Sequence, residues 1–176
     1  MLSIMRTPIF YGAAALLQAN GFRSVVAGTT NRDEGAFIGF FGKASDAMVD
    51  IQPISDLHKS EVYALAEIFK APPEITEDAP RGDVWDSRTD EQMIGAPYWA
   101  VELYTLLHEE FQPDWSMIGK LWRDPELGPL FTNICNLHEA NKHKYRVGNP
   151  AIHFDVYNRF LRGGWTEMNA GGIPCD

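Results

Sequence analysis

Of the 176 residues only two are cysteine, Cys135 and Cys175, and they form neither a C-x-x-C pair nor part of a histidine pattern. That spacing argues against a zinc site or a disulfide framework, so both are expected as free thiols. The apolar run of ~20 residues that a membrane helix needs is missing. The first residues, MLSIMRTPIFYG, also lack the apolar core and small-residue cleavage site of a secretory signal. The expectation is a cytoplasmic protein that makes no use of a membrane. Basic excess is lacking as well: the formal charge is −9, which excludes a surface that binds nucleic acid by displacing its counterions. A phosphorylated ligand would have to be held by particular lysines and a metal. No internal repeat or low-complexity tract occurs, and the solenoid classes drop out.

What is present suffices for one domain spanning residues 1–176, since 45% of the chain is hydrophobic and two cores would be crowded at this length. RTPIFYGAAALLQANG offers Thr7 as a cap, Pro8 at the first helical position, an apolar face at Ile9, Ala13, Leu16 and Leu17, and Gly21 as a stop. FRSVVAG reads as a short buried strand and VDIQPI as a second. DLHKSEVYALAEIFKAPPEI reads as a helix with Val62, Leu65, Ala66 and Phe69 on one face, ended by Pro72. Helices follow in PYWAVELYTLLHEEF and in DPELGPLFTNICNLHEANKHKYR, the latter carrying Leu130, Ile134 and Leu137. This order predicts an α/β fold, a partial doubly wound parallel sheet with flanking helices. Two strands cannot bury both faces of such a sheet, so further strands are expected from elsewhere. Residues 76–92 have the composition of a long lid-like loop, and 166–176 that of a flexible tail.

The chemistry concentrates between Gly28 and Asp50, in GTTNRDEGAFIGFFGKASDAMVD. GTTNRDE lies at the carboxyl end of the first strand, where open α/β sheets present ligands. Gly28 permits close backbone approach, the Thr29 hydroxyl can donate to a phosphate or a base, and Glu34 is a hard oxygen ligand suited to Mg²⁺. The same residues also read as a helix start, with Thr30 or Asn31 capping and Asp33 and Glu34 complementing the dipole. Lys43, with Asp46 and Asp50 three and seven positions on, reads equally as an anion-binding point flanked by carboxylates or as a solvated turn. Lys59 stands in the first turn of a helix, where a cation opposes the dipole, so a nearby anion is expected to hold it. Lys142, His143, Lys144 and Arg146 form a basic helix end, either phosphate ligands or ordinary dipole complementation.

Taken in series, GTTNRDE, GFFGKASDAMVD, PISDLHKSEVYALA, PRGDVWDSRTDEQMIG and NKHKYR resemble the NAD synthetase family of the adenine-nucleotide alpha-hydrolase-like superfamily. The likeness runs from about Arg6 to Pro150. It implies ATP- and Mg²⁺-dependent amidation of nicotinic acid adenine dinucleotide by ammonia, through an acyl-adenylate, in a homodimer. By that likeness Thr29, Lys59 and the lid position Arg81 face ATP, and Glu34 holds Mg²⁺. Arg6, Lys43, Asp46, Asp50, His143 and Lys144 face the deamido dinucleotide. Ile4 stands where the family usually has an arginine, and Arg81 where it has a threonine. The SGGxDS loop with which the family cradles pyrophosphate does not occur in these residues, which places the chain as the C-terminal portion of a synthetase domain. The alternative is a non-catalytic relative that serves as a dinucleotide-binding or dimerisation module.

Overall fold

The computed structural model describes residues 2–82, 87–109, 115–147 and 152–153. The chain opens with α1 (Leu2–Ala19). The helix starts before Thr7, and Pro8 lies inside it, giving up one backbone hydrogen bond. Thr7 does not cap; its hydroxyl donates to the Ala44 carbonyl at 2.7 Å and ties α1 to the loop that follows. Gly21 ends the helix at φ +87°, a conformation a side chain would resist.

The expected strand at FRSVVAG is reduced to a single parallel bridge, Ala27 to Ile51. Its neighbour is β1 (Ile51–Gln52), which pairs in parallel with β2 (Ile152–His153) in the register Ile51 to Ile152. Three short segments therefore form the sheet edge, and Val25 on the outermost one is 63% exposed. Among the described residues the sheet is thus small. The physical reason is local: Asp50 inserts its carboxylate between the segments, accepting from the Val26 N–H at 2.7 Å, and takes a position a ladder carbonyl would hold.

α2 (Lys59–Ile68) begins where the sequence places it, yet none of its residues is buried and Phe69, just past its end, is 78% exposed. Within the expected apolar stripe, Val62, Leu65 and Ala66 are partly buried, and Phe69 at its end is exposed. Two short helices, α3 (Pro73–Thr76) and α4 (Asp90–Ile94), follow. The expected loop over 76–92 is closed at its base by an antiparallel bridge between Arg81 and Thr89. Its last residues are already helical. Thr89 and Gln92 cap each other reciprocally, the Thr89 Oγ1 accepting from the Gln92 N–H and the Gln92 Oε1 from the Thr89 N–H. Gly95 closes α4 at φ +73°.

α5 (Tyr98–Glu109), α6 (Trp115–Arg123) and α7 (Leu127–Asn141) make the helical layer, and a 3₁₀ turn over Lys142–Val147 continues α7. The main core joins Phe37, Ile38, Ile94, Val101, Tyr104, Phe131 and Ile134. A smaller one joins Ala14, Val26 and Val49 under α1. Of the three α7 residues named from the sequence, Ile134 is fully buried, and Leu130 and Leu137 pack at the edge. Cys135, expected as a free thiol, is half of a disulfide whose other half lies outside the described residues. Spacing along the chain carries no information on which sulfurs meet in space, and that is why the expectation failed. The tail over 166–176 also lies outside the described residues, and among those described no helix is long and apolar enough to cross a membrane.

Candidate active site

The turn after Gly28 is built from its own polar side chains. Asn31 bends back over the next residues: its Oδ1 accepts from the Glu34 N–H at 3.0 Å and its Nδ2 donates to Glu34 Oε1 at 2.9 Å. Asp33 and Glu34 then open a single π-helical turn, Asp33–Phe37. The capping reading of Asn31 therefore holds, and it leaves Glu34 Oε2 with only a long contact.

Glu34 Oε1 collects three donors. Besides Asn31 it accepts from Lys59 Nζ at 3.0 Å and from the Tyr98 hydroxyl at 3.0 Å. The anion expected to hold Lys59 is thus Glu34, and the two residues expected to face ATP and Mg²⁺ meet directly. Lys59 also lies 4.8 Å from the centre of the Tyr98 ring, a cation over an aromatic face. The ion pair is largely enclosed, with 18% and 15% of the two side chains exposed.

Tyr98 brings in a residue that sequence reasoning missed. Its hydroxyl lies 3.1 Å from Asp90 Oδ2 as well as 3.0 Å from Glu34 Oε1. One phenol carries one proton, so two ionised carboxylates cannot both receive it. Burial, then the charges of Glu34 and Asp90, hold the Tyr98 phenol far above its ordinary pKa, so it keeps its proton. Asp90 Oδ1 is buried without a partner, and Glu34 Oε2 has only a long contact, 3.5 Å, from the Asn31 N–H. Two oxygen acceptors with lone pairs to give therefore stand on either side of a shared phenol. This all-oxygen donor set suits a hard cation such as Mg²⁺. Asp90 could be read in the sequence only as a first-turn acid beside a threonine cap; nothing there links it to Glu34.

A shallow cleft is lined among others by Arg6, Thr7, Gly28, Thr29, Ser45 and Asp46. Thr29 is exposed on its wall. Gly28 owes its small size to the protein: an added Cβ would stand 2.8 Å from Val49 Cγ2 and 3.3 Å from Gln52 Cγ. Arg6 and Asp46 meet across the cleft at 3.4 Å, both half-exposed. Asp46 Oδ2 also accepts from the Gly42 N–H at 2.9 Å and from Ser45 Oγ at 3.1 Å, which shapes the 42–46 turn. Lys43, at the tip of that turn, is exposed.

The other expected contacts lie elsewhere. Asp50 uses both oxygens on the protein, accepting from the Tyr11 hydroxyl at 3.2 Å and from the Val26 N–H. Lys144 donates to the Gly39 and Phe41 carbonyls, at 2.7 Å each. His143 is exposed and its Nδ1 lies 3.0 Å from the Ala140 carbonyl in its own helix turn. Arg81 is exposed, 3.7 Å from Asp78.

Comparison with known proteins bears on this arrangement. The family model described as NAD synthase matches residues 10–148. The chain belongs to the NAD synthase family. Relatives include the NH(3)-dependent NAD(+) synthetase of Methanococcoides burtonii, 40% identical over 152 residues, 85% of this chain and 53% of the relative. The synthetase of the same description from Picrophilus torridus is 39% identical over 89% of this chain and 56% of its own length. Among solved structures, that of NMN synthetase from Francisella tularensis superposes with a TM-score of 0.62 at 25% identity, covering 81% of this chain and 50% of the other. This NAD synthase family chain spans about half the length of the curated relatives it matches. The π turn and the Lys59 and Tyr98 helices all lie within the matched residues.

Proposed function

We propose that this chain carries one part of an ATP- and Mg²⁺-dependent ligase that amidates nicotinic acid adenine dinucleotide to NAD with ammonia. The observation that carries the reading is the enclosed network of Glu34, Lys59, Tyr98 and Asp90. In this reading the substrate carboxylate attacks the α-phosphorus of ATP, the bond to the pyrophosphate oxygen breaks, and ammonia then displaces AMP from the acyl-adenylate. Bound Mg²⁺ would offset the charge that builds on the phosphoryl oxygens and leaving group. Glu34 Oε2 and Asp90 Oδ1 are the atoms offered to it. Lys59 is a fixed point charge for the phosphates: its pairing with Glu34 keeps it in place until an anion arrives. Thr29 offers a hydroxyl donor on the cleft wall. Lys43 and Arg6 offer cations to the dinucleotide, and Asp46 offers an acceptor. The reading places the enzyme in the cytoplasm and pairs it as a homodimer, in keeping with the outward apolar residues of α1, where Ile9 is 61% and Leu16 68% exposed.

A second reading, a dinucleotide-binding module without turnover, is favoured by one observation: no backbone cradle of the SGGxDS kind occurs in these residues. The deciding experiment is an ammonia-dependent NAD assay run beside calorimetry with nicotinic acid adenine dinucleotide. Binding that weakens in Glu34→Gln when Mg²⁺ and ATP are present supports the ligase site. Binding indifferent to Glu34, Mg²⁺ and ATP together supports the module.

A further inference from the structure

Behind the Lys59–Glu34 pair lies a group that the ligase reading does not use. Asp33 is fully buried and His58 is 4% exposed. A carboxylate oxygen of Asp33, a ring nitrogen of His58 and a carboxylate oxygen of Glu102 lie within 4.8 Å of one another. They come from three elements: the π turn, the residue that opens α2, and α5.

The hydrogen bonds fix what each group has left to give. Asp33 Oδ1 is 2.7 Å from His58 Nδ1, and Asp33 Oδ2 accepts from the Lys59 N–H at 2.6 Å. In the tautomer whose Nδ1–H donates to Asp33, Nε2 carries the lone pair. That Nε2 is buried and has no hydrogen-bond partner. Glu102 Oε1 accepts from the Ser60 hydroxyl at 2.8 Å, which turns the carboxylate toward the start of α2, and the residue is partly open to solvent. An imidazole with one nitrogen bonded to a carboxylate, the other unpartnered, and a second carboxylate nearby is the arrangement that orients a histidine on a metal.

We propose that Asp33, His58 and Glu102 form a divalent-cation site distinct from Glu34 and Asp90, with His58 Nε2 and Glu102 as ligands and Asp33 orienting the ring. A nitrogen and oxygen donor set selects ions of the Zn²⁺ and Co²⁺ kind over Mg²⁺, which takes oxygen alone. The ion would fasten the start of α2 to the π turn and to α5, and so fix the backbone from which Lys59 reaches Glu34. Glu102 at the solvent side gives the ion its way in.

The test is titration of the metal-free chain with Co²⁺ in the presence of saturating Mg²⁺, followed by absorption and calorimetry. One ion should bind, with about tenfold or greater weakening in His58→Gln and in Glu102→Gln, and no change in Glu34→Gln. In the wild-type chain, Zn²⁺ should move the ring-nitrogen resonances of His58 ahead of those of the other four among its five histidines. The resonance measurement needs no substitution, so a variant that fails to fold does not spoil it. No binding by the wild-type chain, equal binding by His58→Gln with a native circular-dichroism spectrum, or Zn²⁺ that leaves the His58 resonances in place would each overturn the proposal.

Discussion

The ammonium of Lys144 reaches the carbonyls of Gly39 and Phe41, at 2.7 Å each, and lies 5.3 Å from the centre of the Phe41 ring. Two protons given to the backbone hold the base of the loop that carries Lys43 and Asp46. Desolvation pulls the Lys144 pKa down, opposed by Asp46 and reinforced by Lys43, so those two charges bear on the ammonium as well. A positional match alone made Lys144 a ligand residue; its hydrogen bonds are those of a residue that shapes the loop. Lys144→Met should therefore speed hydrogen exchange at Phe40 and Phe41 in the chain without any ligand. It should also cost about 1.5–3 kcal/mol of stability, the range for hydrogen bonds to a charged group. His143→Ala, next in sequence and exposed, should do neither. Equal, unchanged exchange in both variants would return Lys144 to the role of a plain ligand contact. Glu34 and Lys59 were both legible as singular residues, one as a hard oxygen ligand and one as a cation in the wrong helix turn. Their pairing was legible only as an unnamed anion, because the partner lies 25 positions away. Tyr98 and Asp90 gave no signal, since a tyrosine opening an amphipathic helix and an acid after a capping threonine are ordinary in those places.

Helices were the part of the fold most open to reading, and strands the least. α2 and α7 start and stop close to their signals because proline, glycine and a 3.6-residue pattern act within a few neighbours. The expected strand FRSVVAG became one bridge because a strand depends on what lies beside it, which short-range pattern does not encode. Gly28 shows the same limit. It was read as room for a ligand, yet a Cβ there would meet Val49 at 2.8 Å. Gly28→Ala should therefore destabilise the chain by about 1–3 kcal/mol, as overpacking does, and a denaturant titration without ligand would detect it. An unchanged midpoint would mean that the glycine is kept for the cleft. The packing of α5 on α7 gives a pH dependence that can be signed. Desolvation, then the charge of His138, lowers the His108 pKa from 6.5 to about 4. Its ring is wedged against Phe37 at 4.6 Å and next to Tyr104 at 6.4 Å. Here the folded value lies below the unfolded one, so between about 4 and 6.5 the unfolded chain binds the extra proton. Stability should be complete above pH 6.5, fall as the pH drops toward 4, and level off below. Melting temperatures across that window should decline less steeply in His108→Leu. Parallel curves for the two chains would show that His108 contributes nothing to the slope.

At the scale of the whole molecule, the cations and donors around the cleft decide what the proposed ligands would meet. ATP needs its triphosphate held by convergent backbone donors, and none of the sequence supplies a glycine-rich cradle of the SGGxDS kind. The dinucleotide asks for less. Lys43 stands exposed at the tip of the 42–46 turn, Arg6 reaches Asp46 across the cleft, and Thr29 lines its wall. If affinity follows the groups in place, this chain should bind nicotinic acid adenine dinucleotide weakly and make no NAD from ATP and ammonia. Lys43→Ala removes a charge-assisted contact to phosphate worth about 1.5–3 kcal/mol, so it should weaken that binding by roughly ten- to a hundredfold. Asp50→Asn should act differently. Both oxygens of Asp50 are bonded within the protein, so its loss should lower the melting temperature first and affinity only as the fold loosens. Calorimetry of the three chains at a temperature well below their melts separates the two effects. Turnover by the chain alone would mean that the triphosphate is held without the expected loop. Lys43→Ala binding as tightly as the wild type would move the dinucleotide away from the 42–46 turn altogether.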